Sequence, residues 1–402
     1  MWATPKIRFH EYSSTWVVNS IGETISNKSR KFDPTRENNS VPCIELEHLE
    51  SETGILLGTV QSANLGSIKN VFNKGDVLFG KLRPYLRKYL LAPIDGVCSS
   101  EIWVLTGRNV SNEFLFHWIQ RNSFIQLANL SSGSKMPRAD WNVISKEIAY
   151  LPSLPEQQKI ASFLSAVDEK IRQLKRKKEL LEQYKKGIMQ QLFSQKVRFK
   201  DEHGKNFPDW EEKMLGDYIE IVSGYAFKGH EISETQGGVP LMRGINITEG
   251  YIRHSSDIDR FYYGDLKELV DLRIKEGDLV LGMDGSKVGK NSSLITKFDE
   301  GAILVQRVAR IRSIDTSDIN FIYHCIRSPH FFRYVDAVNT SSGIPHISSK
   351  QIKDYKISLP TKTEQQKIAS FLSSLDRKIE LVGVEVEKAQ LFKKGLLQQM
   401  FV

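Results

Sequence analysis

The chain has 402 residues, 40% hydrophobic and 26% charged, and 56 Lys and Arg against 48 Asp and Glu leave a formal charge of +8. Such a composition is that of an ordinary globular protein, and the length predicts two or three domains at ~150 residues each. Three scattered cysteines, Cys43, Cys98 and Cys325, argue against a disulfide framework or a zinc site and for a reducing compartment. Neither a basic-then-apolar leader nor an apolar run of ~18 residues is evident, so a cytoplasmic protein without a membrane partner is expected. The modest positive charge suits a nucleic-acid partner, but a solvated surface explains it as readily.

In chain order, residues 1–150 read as a mixed module of short strands and a helix. Asp76–Leu82 and Val97–Leu105 alternate like strands, broken by Pro84 and by the turn Pro93-Ile94-Asp95-Gly96. Ser111 is placed to cap a helix running to about Asn129. The loop after the first of these strands, Lys81-Leu82-Arg83-Pro84-Tyr85-Leu86-Arg87-Lys88, holds Lys81, Arg83, Arg87, Lys88 and an aromatic, Tyr85. Cations on strand-borne loops hold phosphates, and a bidentate Arg can read guanine O6 and N7. Ser131–Arg138, with Lys135 and Arg138, is a second candidate contact, and His117 is expected in the core.

Residues 151–195 predict one long helix. Ser153 and Glu156 have capping-box spacing, and Pro155 falls in the first turn. Ile160, Val167, Leu174, Leu181 and Ile188 form one heptad row. Leu164, Ile171 and Leu192 lie on the other, which Lys178 and Lys185 interrupt. A sustained 3.5-residue period is a coiled-coil seam.

Residues 196–358 repeat the first module loosely. Lys196-Val197-Arg198-Phe199 echoes Lys6-Ile7-Arg8-Phe9, Trp210 echoes Trp16, and Val239-Pro240 echoes Val41-Pro42. Asp278–Gly282 and Ala302–Ile311 read as the strands, and helices follow from Ser317, split near Pro329. At the place of the basic loop stands Asp284-Gly285-Ser286-Lys287-Val288-Gly289-Lys290-Asn291. Ser286, Lys287 and Lys290, with Arg243 and His346, are the contact candidates here. His324, like His117, reads as a core residue.

Residues 359–402 predict a second long helix, and here the repetition is literal. Glu364-Gln365-Gln366-Lys367-Ile368-Ala369-Ser370-Phe371-Leu372-Ser373 repeats Glu156 through Ser165 letter for letter, 208 positions on. Its rows are Ile368, Leu375, Val382, Ala389 and Leu396 beside Leu372, Ile379, Val386, Lys393 and Met400. The two helices are expected to wrap as an antiparallel, left-handed pair on the order of 55–60 Å long. A seam explains the repeated apolar residues but not the repeated polar ones, which are expected on the solvent side. Glu156, Gln157, Gln158 and Lys159, with Lys186 and Gly187, are therefore candidates for a partner surface. Glu364, Gln365, Gln366 and Lys367, with Lys394 and Gly395, form its second copy. Gly inside a helix costs roughly 1 kcal/mol relative to Ala, so its presence twice points to close approach of another backbone.

Chemistry-bearing motifs are missing. Asp284 and Asn291 break a phosphate loop at two required positions, and no dinucleotide turn, nucleophile elbow or metal-spaced His/Cys cluster stands elsewhere.

This layout resembles the specificity subunits of type I restriction–modification systems. The resemblance is carried by the Leu-Pro start followed by Glu-Gln-Gln-Lys-Ile-Ala-Ser-Phe-Leu at 151–164 and 359–372. Gly75-Asp76-Val77-Leu78-Phe79-Gly80-Lys81-Leu82-Arg83-Pro84 and Gly277-Asp278-Leu279-Val280-Leu281 add to it. It covers the whole chain. It implies an α+β fold with two target-recognition domains joined by two long helices in a pseudo-two-fold internal repeat. It further implies double-stranded DNA with a bipartite asymmetric target, two methyltransferase subunits and two motor-nuclease subunits as partners. S-adenosylmethionine, ATP and Mg would then sit on those partners, with no cofactor or metal on this chain and no catalysis by it. The competing classes are an enzyme, such as a fused methylase or nuclease, and a coiled-coil scaffold without nucleic acid.

Overall fold

The computed structural model describes residues 4–37, 39–130, 136–339 and 344–402. The chain divides into two compact units, Met1–Arg176 with Val382–Val402, and Lys177–Leu381. Each unit joins one module to parts of both long helices, Leu154–Phe193 and Lys362–Gln399.

Module 1 closes with its first strand, Val17–Ser20, antiparallel to its last, Ile148–Leu151. Between them lie a four-stranded sheet (Ile25–Ser26, Ile102–Gly107, Val77–Gly80, Tyr89–Leu91) and a five-stranded one (Lys31–Phe32, Lys69–Phe72, Gly96–Cys98, Pro42–Ile44, Val60–Gln61). The strand expected over Val97–Leu105 is two strands. Its first part pairs parallel with Pro42–Ile44, and after a break at Ser99–Glu101 its second part joins Val77–Gly80 in the other sheet. One chain segment changing sheets cannot keep a single ladder.

The helix expected from Ser111 is likewise two helices, Asn112–Trp118 and Asn122–Ala128. Ser111 caps the first through its hydroxyl, as expected. Gln120 Nε2 then donates to Phe116 O and Arg121 Nε to Trp118 O, satisfying carbonyls that a continuing helix would have used.

Module 2 follows the same plan. Glu211–Met214 pairs with Lys356–Leu359, and one sheet is ordered Ile219–Ser223, Val308–Ser313, Leu279–Gly282, Ser292–Leu294. A second sheet holds Val239–Met242 parallel to Ile303–Leu304, so the Val-Pro echo marks equivalent strands.

The long helices bury their seams within each unit. In the first, Ile160 and Leu164 share a core with Leu396, Met400 and Phe401, beneath Phe114 and Trp118 of module 1. In the second, Met189 and Leu192 share a core with Ile368 and Leu372, beneath Phe321. In each unit the start of one helix therefore meets the end of the other, in the expected antiparallel sense.

Two of the cations breaking the seam, Lys185 and Lys393, are largely buried and paired; Lys178 is half-exposed. Lys393 Nζ lies 2.6 Å from Asp168 and donates to Gln120 Oε1 at 2.7 Å. Lys185 pairs with Asp376 in the second unit. Burial lowers the Lys185 pKa and raises that of Asp168.

Beside each pair sits a fully buried histidine, as the sequence leads one to expect. His117 is within 3.0 Å of the Ser165 hydroxyl and His324 within 3.3 Å of that of Ser373. Burial, helped by the Lys393 charge, pushes the His117 pKa from 6.5 down to about 3, and burial pushes His324 down as well.

Replacing Lys393 by Leu leaves Asp168 and Gln120 without their partner and is expected to cost about 1–3 kcal/mol in chemical denaturation. The double change Asp168→Leu with Lys393→Leu is expected to recover most of that loss. Because both histidines stay neutral when folded but accept protons when unfolded below pH ~6.5, stability is full above that pH and declines as pH falls towards ~3. Urea titrations at stepwise lower pH are expected to show a slope of at most about 1.4 kcal/mol per pH unit for each histidine, and H117Q to remove its share.

Candidate nucleic-acid interface

Three chain segments meet at the tip of each module. In module 1 the ladder between Val77–Gly80 and Ile102–Gly107 ends at Gly80 opposite Ile102, and the basic loop begins. Lys81 N donates to Glu101 O, and Ala139 N to Lys81 O, both at 2.9 Å. Arg83 N donates to Pro137 O at 2.7 Å, and Leu82 bridges Arg138. The two stretches picked out separately in the sequence, around Lys81–Lys88 and before Arg138, thus lie side by side. Lys135 falls outside the described residues.

The loop turns through Pro84–Leu86, and Arg83 and Arg87 on either side take left-handed backbone with φ 51° and 50°. Their side chains differ in kind. Arg87 donates to Asn122 Oδ1 at 2.6 Å and to Gln120 O, with Glu52 at 3.5 Å, and Lys88 donates to Leu46 O at 2.6 Å. These two side chains hold the loop against the module. Arg83 is exposed and makes no side-chain bond among the described residues, and Tyr85 beside it is 52% exposed. Arg138 stands next to them, its Nε donating to both Glu101 oxygens at 3.2 and 3.1 Å.

Module 2 builds the same tip from other residues. Gly282 faces Val308, Met283 N donates to Arg307 O, and Ile347 N to Met283 O. Gly285 N donates to Pro345 O, and Asp284 bridges His346. Gly285 with φ 90° thus occupies the place of Arg83. The position demands left-handed backbone, which glycine adopts freely and an L side chain adopts at about 1–2 kcal/mol. Module 1 keeps an arginine there nonetheless.

Among the other candidates, Ser286 and His346 are exposed. Lys287 is held by Glu249 at 2.8 Å, a hydrogen bond that raises its pKa. Lys290 lies over the Phe332 ring, and Arg243 donates to Ile258 O, so both are half-buried struts. Sequence reading missed Arg307 and Tyr225, exposed and linked through the Gln306 N bond to Tyr225 O at 2.7 Å. The polar pair Gln306-Arg307 inside the apolar run Ala302–Ile311 was the available signal.

The repeated polar residues of the long helices need the larger correction. Glu156 and Gln157, and equally Glu364 and Gln365, are buried rather than on the solvent side. The Glu156 carboxylate accepts from Arg8 Nε and Nη2 at 2.7 and 2.8 Å and from Trp16 Nε1 at 3.3 Å. Glu364 accepts from Arg198 and from Trp210 Nε1 at 3.0 Å. Gln157 accepts from Ser111 N and Gln365 from Asp318 N, each at 2.9 Å, tying the helix to the next helix start of its module. Lys159 faces Glu11 and the Phe9 ring, and Lys367 donates to Lys200 O. Repetition there reflects a repeated internal joint. Gln158, Gln366, Lys186 and Lys394 are exposed.

A Cβ built on Gly187 meets nothing within 4 Å, and one on Gly395 meets only the Gln399 side chain at 3.7 Å. The backbone expected to approach them is not one of this chain's described elements. Among the described residues no three His, Cys, Asp or Glu side chains are grouped to hold a metal, and no helix is long and apolar enough to cross a membrane.

The chain thus consists of two α+β modules with matched scaffolds and unlike exposed tips, each fastened to parts of two like helices. A family model described as the type I restriction modification DNA specificity domain matches residues 14–183 and 208–389. The chain belongs to that family, and carries two copies of its domain. The MjaVIII specificity subunit of a type I restriction enzyme from Methanocaldococcus jannaschii is 29% identical over 338 residues, spanning 81% of this chain and 75% of that one. The MjaIX specificity subunit from the same organism is 27% identical over 307 residues, 72% of this chain and 65% of that one. The solved S subunit of a type I restriction–modification system from M. genitalium superposes with a TM-score of 0.61 at 14% identity, covering 100% of this chain and 99% of that one. A chain from a study of complex assembly and conformational transition in the type I system gives 0.59 at 19% identity, over 96% and 97%. These two likenesses establish the fold. The role belonging to this family is recognition of DNA, not chemistry on it.

Arg83→Ala is expected to weaken DNA binding by about 1–3 kcal/mol with module 1 folded as before. Arg87→Ala is expected instead to lower the thermal stability of the first unit. Fluorescence-anisotropy titrations beside melting curves of both variants check this.

Proposed function

We propose that this chain is the target-reading subunit of a type I restriction–modification complex and recognises a bipartite, asymmetric double-stranded DNA sequence. Each module reads one half, and the paired long helices set the distance between the halves. The observation that carries this reading is the tip: one scaffold in both modules, with Lys81, Arg83, Tyr85 and Arg138 presented in one and Ser286, Arg307 and His346 in the other. Equivalent strands bearing unlike side chains suit two readers of unlike half-sites. Arg83, kept where glycine would relieve the backbone, is the residue we place against DNA in module 1.

Two methyltransferase subunits dock on the long helices and methylate the target, and two motor-nuclease subunits join for restriction; S-adenosylmethionine, ATP and Mg are theirs. Support comes from a face present once in each unit. Tyr184 is 53% exposed three residues before the open Gly187, and Phe392 56% exposed three before Gly395, with Lys186 and Lys394 exposed between. Exposed aromatics beside a bare helical backbone admit close approach of a partner element, and two like faces suit two copies of one partner.

Mapping methylated bases genome-wide in cells carrying this chain with its methyltransferase partner is expected to return one motif of two unlike halves with an unspecified spacer. A motif without a spacer would sink the proposal. Adding one heptad to each long helix at matched positions adds ~10.5 Å of rise, about three base pairs. The mapped spacer is expected to lengthen accordingly, and an unchanged spacer would remove the helices from that role.

A further inference from the structure

At each tip an arginine stands beside a carboxylate, but the two modules place the pair at non-equivalent positions. Gly80 faces Ile102 as Gly282 faces Val308, so Glu101 and Arg307 are equivalent, one residue before each strand. Leu82 bridges Arg138 as Asp284 bridges His346, which makes those pairs equivalent too. Module 1 has its carboxylate on the strand-entry position and its arginine on the third segment, Glu101 to Arg138. Module 2 has the arginine on the strand-entry position and the carboxylate on the loop, Arg307 to Asp284.

In both cases the contact is made by Nε. Arg138 Nε is 3.1 Å from Glu101 Oε2, and Arg307 Nε is 3.9 Å from Asp284 Oδ2. The terminal amino groups of both arginines make no hydrogen bond among the described residues, and the two side chains are 50% and 52% exposed. An ion pair that exposed contributes little to stability. With Nε engaged by the carboxylate, the two terminal nitrogens are left uncommitted among the described residues, and such a fork matches guanine O6 and N7. Arg307 also has φ 72°, which its counterpart Glu101 does not share, so the common scaffold does not impose that backbone.

We propose that Arg138 and Arg307 are the guanine-reading residues of the first and second half-sites, and that Glu101 and Asp284 are positioning residues that aim them. This rests on the DNA-reading function above. It adds that each half-site contains a guanine whose recognition depends on one carboxylate-held arginine, placed at non-equivalent corners of the two modules.

The test is the methylated motif produced by the chain with its methyltransferase partner, for wild type, R307A, R307K, D284N and the module 1 set R138A, R138K and E101Q. R307A and R307K are expected to relax one guanine position in one half, discrimination there falling from roughly 5–150-fold to near one, with the other half unchanged. The Arg138 variants are expected to do the same in the opposite half. D284N and E101Q are expected to broaden the same positions while leaving affinity for an unrelated duplex as in wild type, which a merely structural role would not do. If R307A abolishes methylation, R307K decides: a relaxed guanine supports the assignment and an unrelaxed motif overturns it. A wild-type motif that all these variants leave intact overturns this inference alone, whereas no motif from the wild type overturns the DNA reading with it.

Discussion

The two buried carboxylates at the starts of the long helices, Glu156 and Glu364, are what the architecture depends on. Neither has any exposed side-chain surface, and an ionised carboxylate withdrawn from water is tolerable only when paired and hydrogen-bonded. Arg8 and Trp16 supply that pairing for one, Arg198 and Trp210 for the other. Each joint ties three things together: the segment leading into a module, the module's first strand region and the helix that leaves it. With Gln157 and Gln365 gripping the next helix start, the module is fastened to its helix by polar groups of defined direction, where apolar packing alone would tolerate sliding.

A second set of buried charges works on the helix seam. Lys393 and Lys185 stand where a coiled coil would ordinarily place apolar residues, and Asp168 and Asp376 pair with them. A hydrophobic pair would hold the helices at least as firmly, but polar groups inside a seam discriminate among registers and partners. Gln120 reaches Lys393 from module 1, so the module takes part in that choice.

On this framework the two tips carry unlike side chains on a shared backbone frame. Their backbone bonds are shared between modules, Lys81 to Glu101 matching Met283 to Arg307, while the side chains at the same corners differ in charge and size. Arginines there divide into two kinds. Arg87 and Arg243 spend their hydrogen bonds on the protein itself; Arg83 makes no side-chain bond among the described residues, and Arg138 and Arg307 engage only Nε, with Glu101 and Asp284.

By itself the sequence determined the duplicated plan, the two long helices and the core histidines, because each of these is written in local periodicity or in literal repetition. The echoes at Arg8/Arg198 and Trp16/Trp210 were also legible, but not their purpose. Only the tertiary structure decided that Glu156 and Glu364 face inward, since solvent exposure of a polar helix residue depends on what else packs there and not on its own chemistry. Only the fold, too, separated Arg87 from Arg83, four residues away in the same basic loop. It alone brought Arg307 beside Asp284 and Asn122 and Gln120 beside Arg87, because such partners come from distant segments that no reading of one loop can supply.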